Sequence, residues 1–191
     1  MGLIRRMNFP GPLQDLSKFN LPQDFAKSRP SVLWFFWLIF GEILISSWIP
    51  GSFWRVLLLR LFGAKLGHGV LVKPNVKIKF PWRLSIGDHT WIGEKVWIDN
   101  LEWVVIGSNV CISQGAYLCT GNHNFKSTSF PYLLGRIDIE DEAWICAMVL
   151  IAPSVRVGMG SVIKFGSVLY DSVPPKTIVS GFPAVPIGYR E

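Results

Sequence analysis

From Ile86 onward the chain repeats itself every six residues. Stepping by six gives Ile86, Ile92 and Ile98, then, after a shift of two, Ile106, Ile112 and Leu118. After a longer interruption come Ile139, Ile145, Ile151, Val157, Ile163 and Leu169. All twelve are Ile, Leu or Val. Four residues after each stand Thr90, Val96, Glu102, Val110, Ala116, Asn122, Ala143, Val149, Val155, Ser161, Ser167 and Val173, and ten of these twelve are small or β-branched. Leu66, Val72, Ile78 and Leu84 carry the frame back toward the N-terminus. A helix turns every 3.6 residues and cannot keep an aliphatic stripe at period six, and plain alternation would bury positions that here are polar. Short strands joined at regular corners satisfy both constraints. Each six-residue unit is then one side of a coil, with its aliphatic residue inward and its small residue in a cramped corner. Three sides close a coil of about 18 residues. The pattern predicts an all-β fold, a parallel β-helix whose coils stack as solenoid repeats do. A β-sandwich would not hold one spacing for so long.

Residues 1–64 lack the repeat and read as an appendage, irregular and proline-punctuated over 1–30 and helical beyond. In "SVLWFFWLIFGEILISSWIP", Ser31 to Pro50, nineteen residues precede the proline and only Glu42 is charged. The length suffices for a bilayer. Glu42 near the middle is costly in lipid, and Gly41, Ser46 and Ser47 weaken the run. An interfacial helix, or one packed on its own domain, fits better than a span. "SFWRVLLLRLFGA", 52–64, reads as a short amphipathic helix stopped by Gly63. The expected division is an appendage over 1–64, the β-helix over 65–187 with an extruded loop over 124–138, and a tail over 188–191.

Half the residues are hydrophobic and 17% are charged, so some apolar surface is expected to meet a partner or a membrane. The net charge of +6 is localised. From Ile43 to Gly87 there is no Asp or Glu, but there are seven basic residues: Arg55, Arg60, Lys65, Lys73, Lys77, Lys79 and Arg83. This is either a solvated basic face or a contact for anionic lipid heads or a phosphorylated substrate. No nucleic-acid motif accompanies the charge, so nucleic acid is not an expected partner. Cys111, Cys119 and Cys146, an odd number without a CxxC pair, read as reduced thiols with neither disulfide nor zinc. The first thirty residues have no cleavable signal pattern. A cytoplasmic protein is expected, with peripheral contact at the inner membrane face through 31–64.

The repeat breaks at "CTGNHNF", Cys119 to Phe125. Asn122 takes the small-residue slot, His123 follows, and fifteen residues, Asn124 to Asp138, stand outside the frame. An extruded loop costs ordering entropy and buries little, so it usually has a use. Its Phe125, Phe130 and Tyr132 either wall a ligand pocket or pin the loop to a neighbour. Asp99 lies in the third unit of one coil and His123 in the third unit of the next, which puts both along one face. A corner aspartate can also simply bond its own turn amides. His68 and His89 fall elsewhere in the repeat and read as solvated.

The pattern resembles the left-handed β-helix of hexapeptide-repeat acyltransferases over roughly Leu66 to Ile187, and "IVSGFPAVPIG" resembles that family's closing segment, with Phe182 where Asn is usual. "WIGEKVWIDN", "IGSNVCISQGAYLCTGNHNF", "PGSFWRVLLLRLFGAKLG" and "KIKFPWRLSIGD" are similar to one branch, the colanic acid biosynthesis acetyltransferases of bacterial exopolysaccharide pathways. The resemblance implies direct attack of a sugar hydroxyl on acetyl-CoA with a histidine as general base and no metal. His123 aligns with that histidine, and Asp99 with an acceptor-binding Asn or Asp that either holds the hydroxyl or orients the imidazole. Trp97, flanking Asp99 with Asn100, aligns with an aromatic pocket residue, and Trp144 with one near the pantetheine channel. The Ala147 amide aligns with a donor to the thioester carbonyl, and Phe165 and Gly166 lie where the cofactor arm would run. Cys146 and Lys164 depart from the usual Gly, and Asp171 and Val185 stand where a basic residue often meets the adenosine. Lys164, Lys176 or Arg190 would then supply that charge. Family members are trimers with active sites between subunits, and the acceptor is expected to be a lipid-linked or nucleotide-linked glycan. Two other functions compete, an N-acetyltransferase acting on an amino sugar or small amine and a non-catalytic trimeric scaffold at a membrane. The carbonic anhydrase branch of the fold needs three convergent histidines, which the spacing of His68, His89 and His123 does not favour.

Overall fold

The computed structural model describes residues 11–21 and 31–191. The six-residue units fold as short strands that stack into three parallel sheets, one on each side of a prism. The first side stacks Lys65–Leu66, Leu84–Ile86, Val104–Ile106, Ile137–Ile139 and Arg156–Val157. The second stacks Leu71–Val72, Trp91–Ile92, Cys111–Ile112, Trp144–Ile145, Val162–Ile163 and Thr177–Gly181. The third stacks Lys77–Ile78, Trp97–Asp99, Tyr117–Cys119, Leu150–Ile151 and Val168–Leu169. Register runs straight along the prism: on the third side Lys77 pairs with Trp97, Trp97 with Tyr117, and Tyr117 with Leu150. The parallel β-helix read from the six-residue frame is the fold.

All twelve aliphatic positions of that frame point inward, and none is more than 2% exposed. Each such burial contributes about 1.5–3 kcal/mol before entropy is charged, repeated at every side. Of the positions four residues later, Glu102 and Asn122 alone are not buried. Both occupy the corner where the third side passes into the next coil. The other two corners are tight. His89, Asn109, Glu142 and Lys176 turn the chain at positive φ between the first and second sides, and Asn75, Lys95 and Met148 do so between the second and third. A Cβ on Gly107 would come within 2.7 Å of the Asp141 amide nitrogen, so coil stacking forbids a side chain there.

The third corner is tight only between Ile151 and Val157, where Ser154 turns at positive φ; elsewhere it is roomier, and the chain leaves the stack through it. After Cys119, Gly121–His123 and Tyr132–Leu134 pair as an antiparallel hairpin, with His123 opposite Tyr132. The chain rejoins the first side at Ile137–Ile139, paired with Val104–Ile106. The excursion expected over 124–138 thus begins in the strand that carries His123 and ends before the fully buried Ile137. At the far end, Ala184–Tyr189 folds back antiparallel on Thr177–Gly181 and closes the second side.

Helices close the N-terminal end. One is α-helical over Ser31–Phe36, widens to π geometry over Trp37–Gly41 and returns to α over Glu42–Ile45; another covers Phe53–Leu61. Trp37, Gly41 and Ile45 are buried, one every four residues, which the wider π turn keeps on a single face. Trp37 donates from Nε1 to the Lys79 carbonyl at 2.8 Å and packs on Phe62 at 5.0 Å between rings. The apolar helix therefore packs on its own prism through one stripe and turns the rest of its surface outward. No helix among the described residues is long and apolar enough to cross a membrane. Arg55, counted above with the basic face, is instead wholly buried. Its guanidinium donates to the carbonyls of Gly51, Ser47 and Ile49 at 2.6 Å each and to that of Ile45 at 3.3 Å, tying the turn between the helices.

Candidate active site

The hairpin fixes the orientation of His123. Its ring stacks on Phe130 at 4.2 Å with planes 8° apart, and meets Tyr132 at 4.4 Å and Phe19 at 5.8 Å. Nδ1 lies 2.8 Å from the Phe130 carbonyl oxygen. A carbonyl only accepts, so Nδ1 carries the proton and Nε2 keeps its lone pair. Asn122 braces the same strand, its Oδ1 accepting from the His123 amide at 2.8 Å. Phe19 comes from the N-terminal segment, which crosses the excursion where the Asp15 amide donates to the Thr128 carbonyl at 2.8 Å. Phe125 stands exposed near the tip.

One coil away, on the outer surface of the third side, Asp99 is held by two neighbours. The Tyr117 hydroxyl donates to Oδ2 at 3.2 Å, and Lys79 Nζ lies 3.2 Å from Oδ1. That buried Oδ1 receives no aligned hydrogen bond among the described residues. Burial, and then the Cys119 and Asp99 groups beside it, push the Tyr117 phenol up, so it stays protonated and donates. Trp97 stacks 4.7 Å from Tyr117, with Lys77 Nζ 5.5 Å from the indole centroid. Lys77, Trp97 and Tyr117 are thus one ladder of register partners, with the Trp97 indole held between the Lys77 ammonium and the tilted Tyr117 ring. Asp99 does not touch the imidazole. The Phe130 carbonyl orients the ring instead. Asn100 is unavailable to one: it is fully buried, its Oδ1 accepting from the Phe80 amide and its Nδ2 donating to the Phe80 and Arg83 carbonyls.

The residues aligned with a cofactor track lie elsewhere on the prism. Trp144 is on the outer second side, its Nε1 donating to Ser113 Oγ at 3.0 Å. Ala147 and the turn Lys164, Phe165 and Gly166 form the corner between the second and third sides, where the Gly166 amide donates to the Ala147 carbonyl at 3.0 Å. The Ala147 amide has no hydrogen-bond partner among the described residues. Burial pushes the Cys146 thiol up against the opposing pull of Lys164. Lys164 stands at this corner. Lys176 stands at the corner between the first and second sides, and Arg190 is committed to the Glu142 carbonyl. His68 and His89 also sit at that far corner, apart from His123. No group of three or more His, Cys, Asp or Glu among the described residues is arranged to hold a metal. A groove of about 510 Å³ on the first side is lined by Arg136, Asp138, Glu140 and Arg156 with their neighbours and does not reach the histidine.

Tyr117 escaped the sequence reading, and Lys77 and Lys79 entered it only as part of the basic stretch, although each stands one coil, 20 residues, from Trp97 or Asp99. That offset is the signal that would have found them. Phe19 and the Phe130 carbonyl left no such signal.

No family model matches the chain. The chain is 38% identical over 180 residues to the "putative colanic acid biosynthesis acetyltransferase" of Escherichia coli (strain K12), covering 93% of this chain and 98% of that protein. It is 28% identical over 137 residues to the galactoside O-acetyltransferase of the same organism, covering 68% of this chain and 65% of that one. The hexapeptide-repeat acetyltransferase of Vibrio cholerae O1 biovar eltor, solved with acetyl coenzyme A, superposes with a TM-score of 0.73 at 29% identity over 78% of this chain and 83% of that one.

Proposed function

Because the chain belongs to the hexapeptide-repeat (left-handed β-helix) acetyltransferases, we propose that His123 activates a sugar hydroxyl for direct attack on acetyl-CoA, an O-acetyl transfer in bacterial exopolysaccharide synthesis. Acetyl transfer from acetyl-CoA is the activity of the family. The observation that carries the finer reading is the imidazole pinned at Nδ1 by the Phe130 carbonyl, with its Nε2 lone pair free. Nε2 takes the hydroxyl proton as the sugar oxygen adds to the thioester carbonyl. The resulting oxyanion needs a fixed donor, and the Ala147 amide suits it. Collapse expels the thiolate of coenzyme A, which takes its proton from the imidazolium. Asp99 holds the acceptor hydroxyl, and the partly exposed Trp97 indole gives the sugar an apolar wall.

Within one chain His123 and Ala147 occupy opposite edges of the third side, about 15 Å apart at strand rise. A base must stand within hydrogen-bond reach of the proton it takes. The proposed site is therefore completed by a second copy, as in a homotrimer with three sites shared pairwise. Light scattering is expected to give three times the 21.5 kDa chain mass; a monomer that is fully active would sink the shared site.

The direct test is acceptor-dependent release of free thiol from acetyl-CoA across a panel of glycans, with the product then exposed to mild alkali. An alkali-labile acetyl ester is expected. A stable amide product would move the assignment to N-acetylation. No release with any acceptor, together with no coenzyme A binding by calorimetry, would leave a scaffold. Asp99→Asn is expected to raise the acceptor KM by about tenfold, the scale of one hydrogen bond to a charged group, while changing kcat far less. An unchanged KM would remove Asp99 from the acceptor site.

A further inference from the structure

The helical end of the prism carries a second surface, remote from the chemistry. Phe36, Phe40, Ile43, Trp48, Phe53 and Leu61, from both capping helices and the turn between them, are all exposed, with Trp48 and Phe53 at 78% and 82%. The coil directly beneath is cationic on more than one side. Lys65 projects from the first side, Lys73 from the next corner, and Lys77 from the third side, all exposed. No acid lies between Ile43 and Gly87 to offset them. One coil further on the sign reverses, with Asp88, Glu94, Asp99 and Glu102 against Lys95. Positive charge unopposed by nearby acid is thus concentrated in a collar bordering the apolar cap.

That pairing selects an occupant. A second copy meeting the cap across a two-fold axis would press one basic collar against the other, a like-charge contact. Neither capping helix is long and apolar enough to span a bilayer. An anionic lipid surface satisfies both features: Trp and Phe suit the headgroup level, and lysines around them meet lipid phosphates. We propose that the capped end docks on an anionic membrane, with Trp48 and Phe53 entering the interface and Lys65, Lys73 and Lys77 against the headgroups. Coils stack about 4.8 Å apart, so the excursion bearing His123 stands about 10 Å beyond the collar. On the reading that His123 acetylates a glycan, the acceptor is a sugar held close to the lipid surface, as in a lipid-linked oligosaccharide.

The test is co-sedimentation of the full chain with phosphatidylcholine vesicles, with and without phosphatidylglycerol. Binding is expected only to the anionic vesicles and to weaken with salt. Lys65→Gln with Lys73→Gln is expected to weaken it about thirtyfold, at the usual contribution of a basic residue near a charged bilayer, and Trp48→Ser with Phe53→Ser by at least about tenfold. Thiol release with a soluble acceptor is read in parallel and should be unchanged in both variants, so failure to dock and failure to transfer remain distinguishable. Failure of the wild type to bind anionic vesicles overturns the proposal. So does binding that neither pair of substitutions weakens. If wild-type binding is absent and Trp48→Ser with Phe53→Ser lowers the oligomer mass, the cap is an interface between copies.

Discussion

His123→Ala is expected to lower acceptor-dependent thiol release from acetyl-CoA by roughly a hundred- to ten-thousandfold, the usual span for losing a general base. An alcohol is a poor nucleophile near neutral pH, and Nε2 is the lone pair the hairpin leaves free while the Phe130 carbonyl holds the other nitrogen. The loss should fall on kcat, with coenzyme A binding close to wild type, because the aligned cofactor residues lie at another corner. Folding should be nearly unaffected, since the hairpin stands outside the stacked coils and His123 fills no inward position. Activity of the variant within about threefold of wild type, well short of any general-base contribution, would exclude His123 as the base. Loss of activity together with a large drop in melting temperature would mean that the ring matters for packing.

Arg55→Met is expected to destabilise the protein by roughly 3–5 kcal/mol, since a hydrogen bond to a charged group contributes about 1.5–3 kcal/mol and several carbonyls lose theirs together. The side chain is fully buried and bonds the carbonyls of Ile45, Ser47, Ile49 and Gly51. Methionine fills much of the space and satisfies none of those oxygens. Arg55→Lys should recover only part of the loss, because an ammonium cannot copy the planar fork. Urea unfolding measures both. A change below about 1 kcal/mol, the scale of a single hydrogen bond, would show that water replaces the guanidinium without cost.

Arg55 also marks a limit of reading charge from sequence. It stands among apolar neighbours in a basic stretch, and nothing in that string separates a solvated cation from one that ties a turn. The inward frame was legible because one physical demand, an aliphatic residue on each side of each coil, recurs at fixed spacing. His123 was legible because it sits where that demand fails. Asn100 misled for the opposite reason: beside Asp99 it reads as a second acceptor contact, but the roomy corner needs a buried amide to satisfy the Phe80 and Arg83 backbone. The group that sets the histidine tautomer is a main-chain oxygen, which no side-chain pattern encodes. Phe19 reaches the ring across about a hundred positions in sequence, a contact set by chain path and not by period.

Strand partners on the first side lie 20 residues apart at Ser85 and Val105, 33 apart at Val105 and Asp138, and 18 apart at Asp138 and Arg156. Yet the stack passes through all three steps in register. The prism is indifferent to how much chain is spent at its third corner. The hairpin is in effect an exchangeable fitting on a fixed frame. Its length and aromatic lining can change without any change to the coils stacked on either side of it.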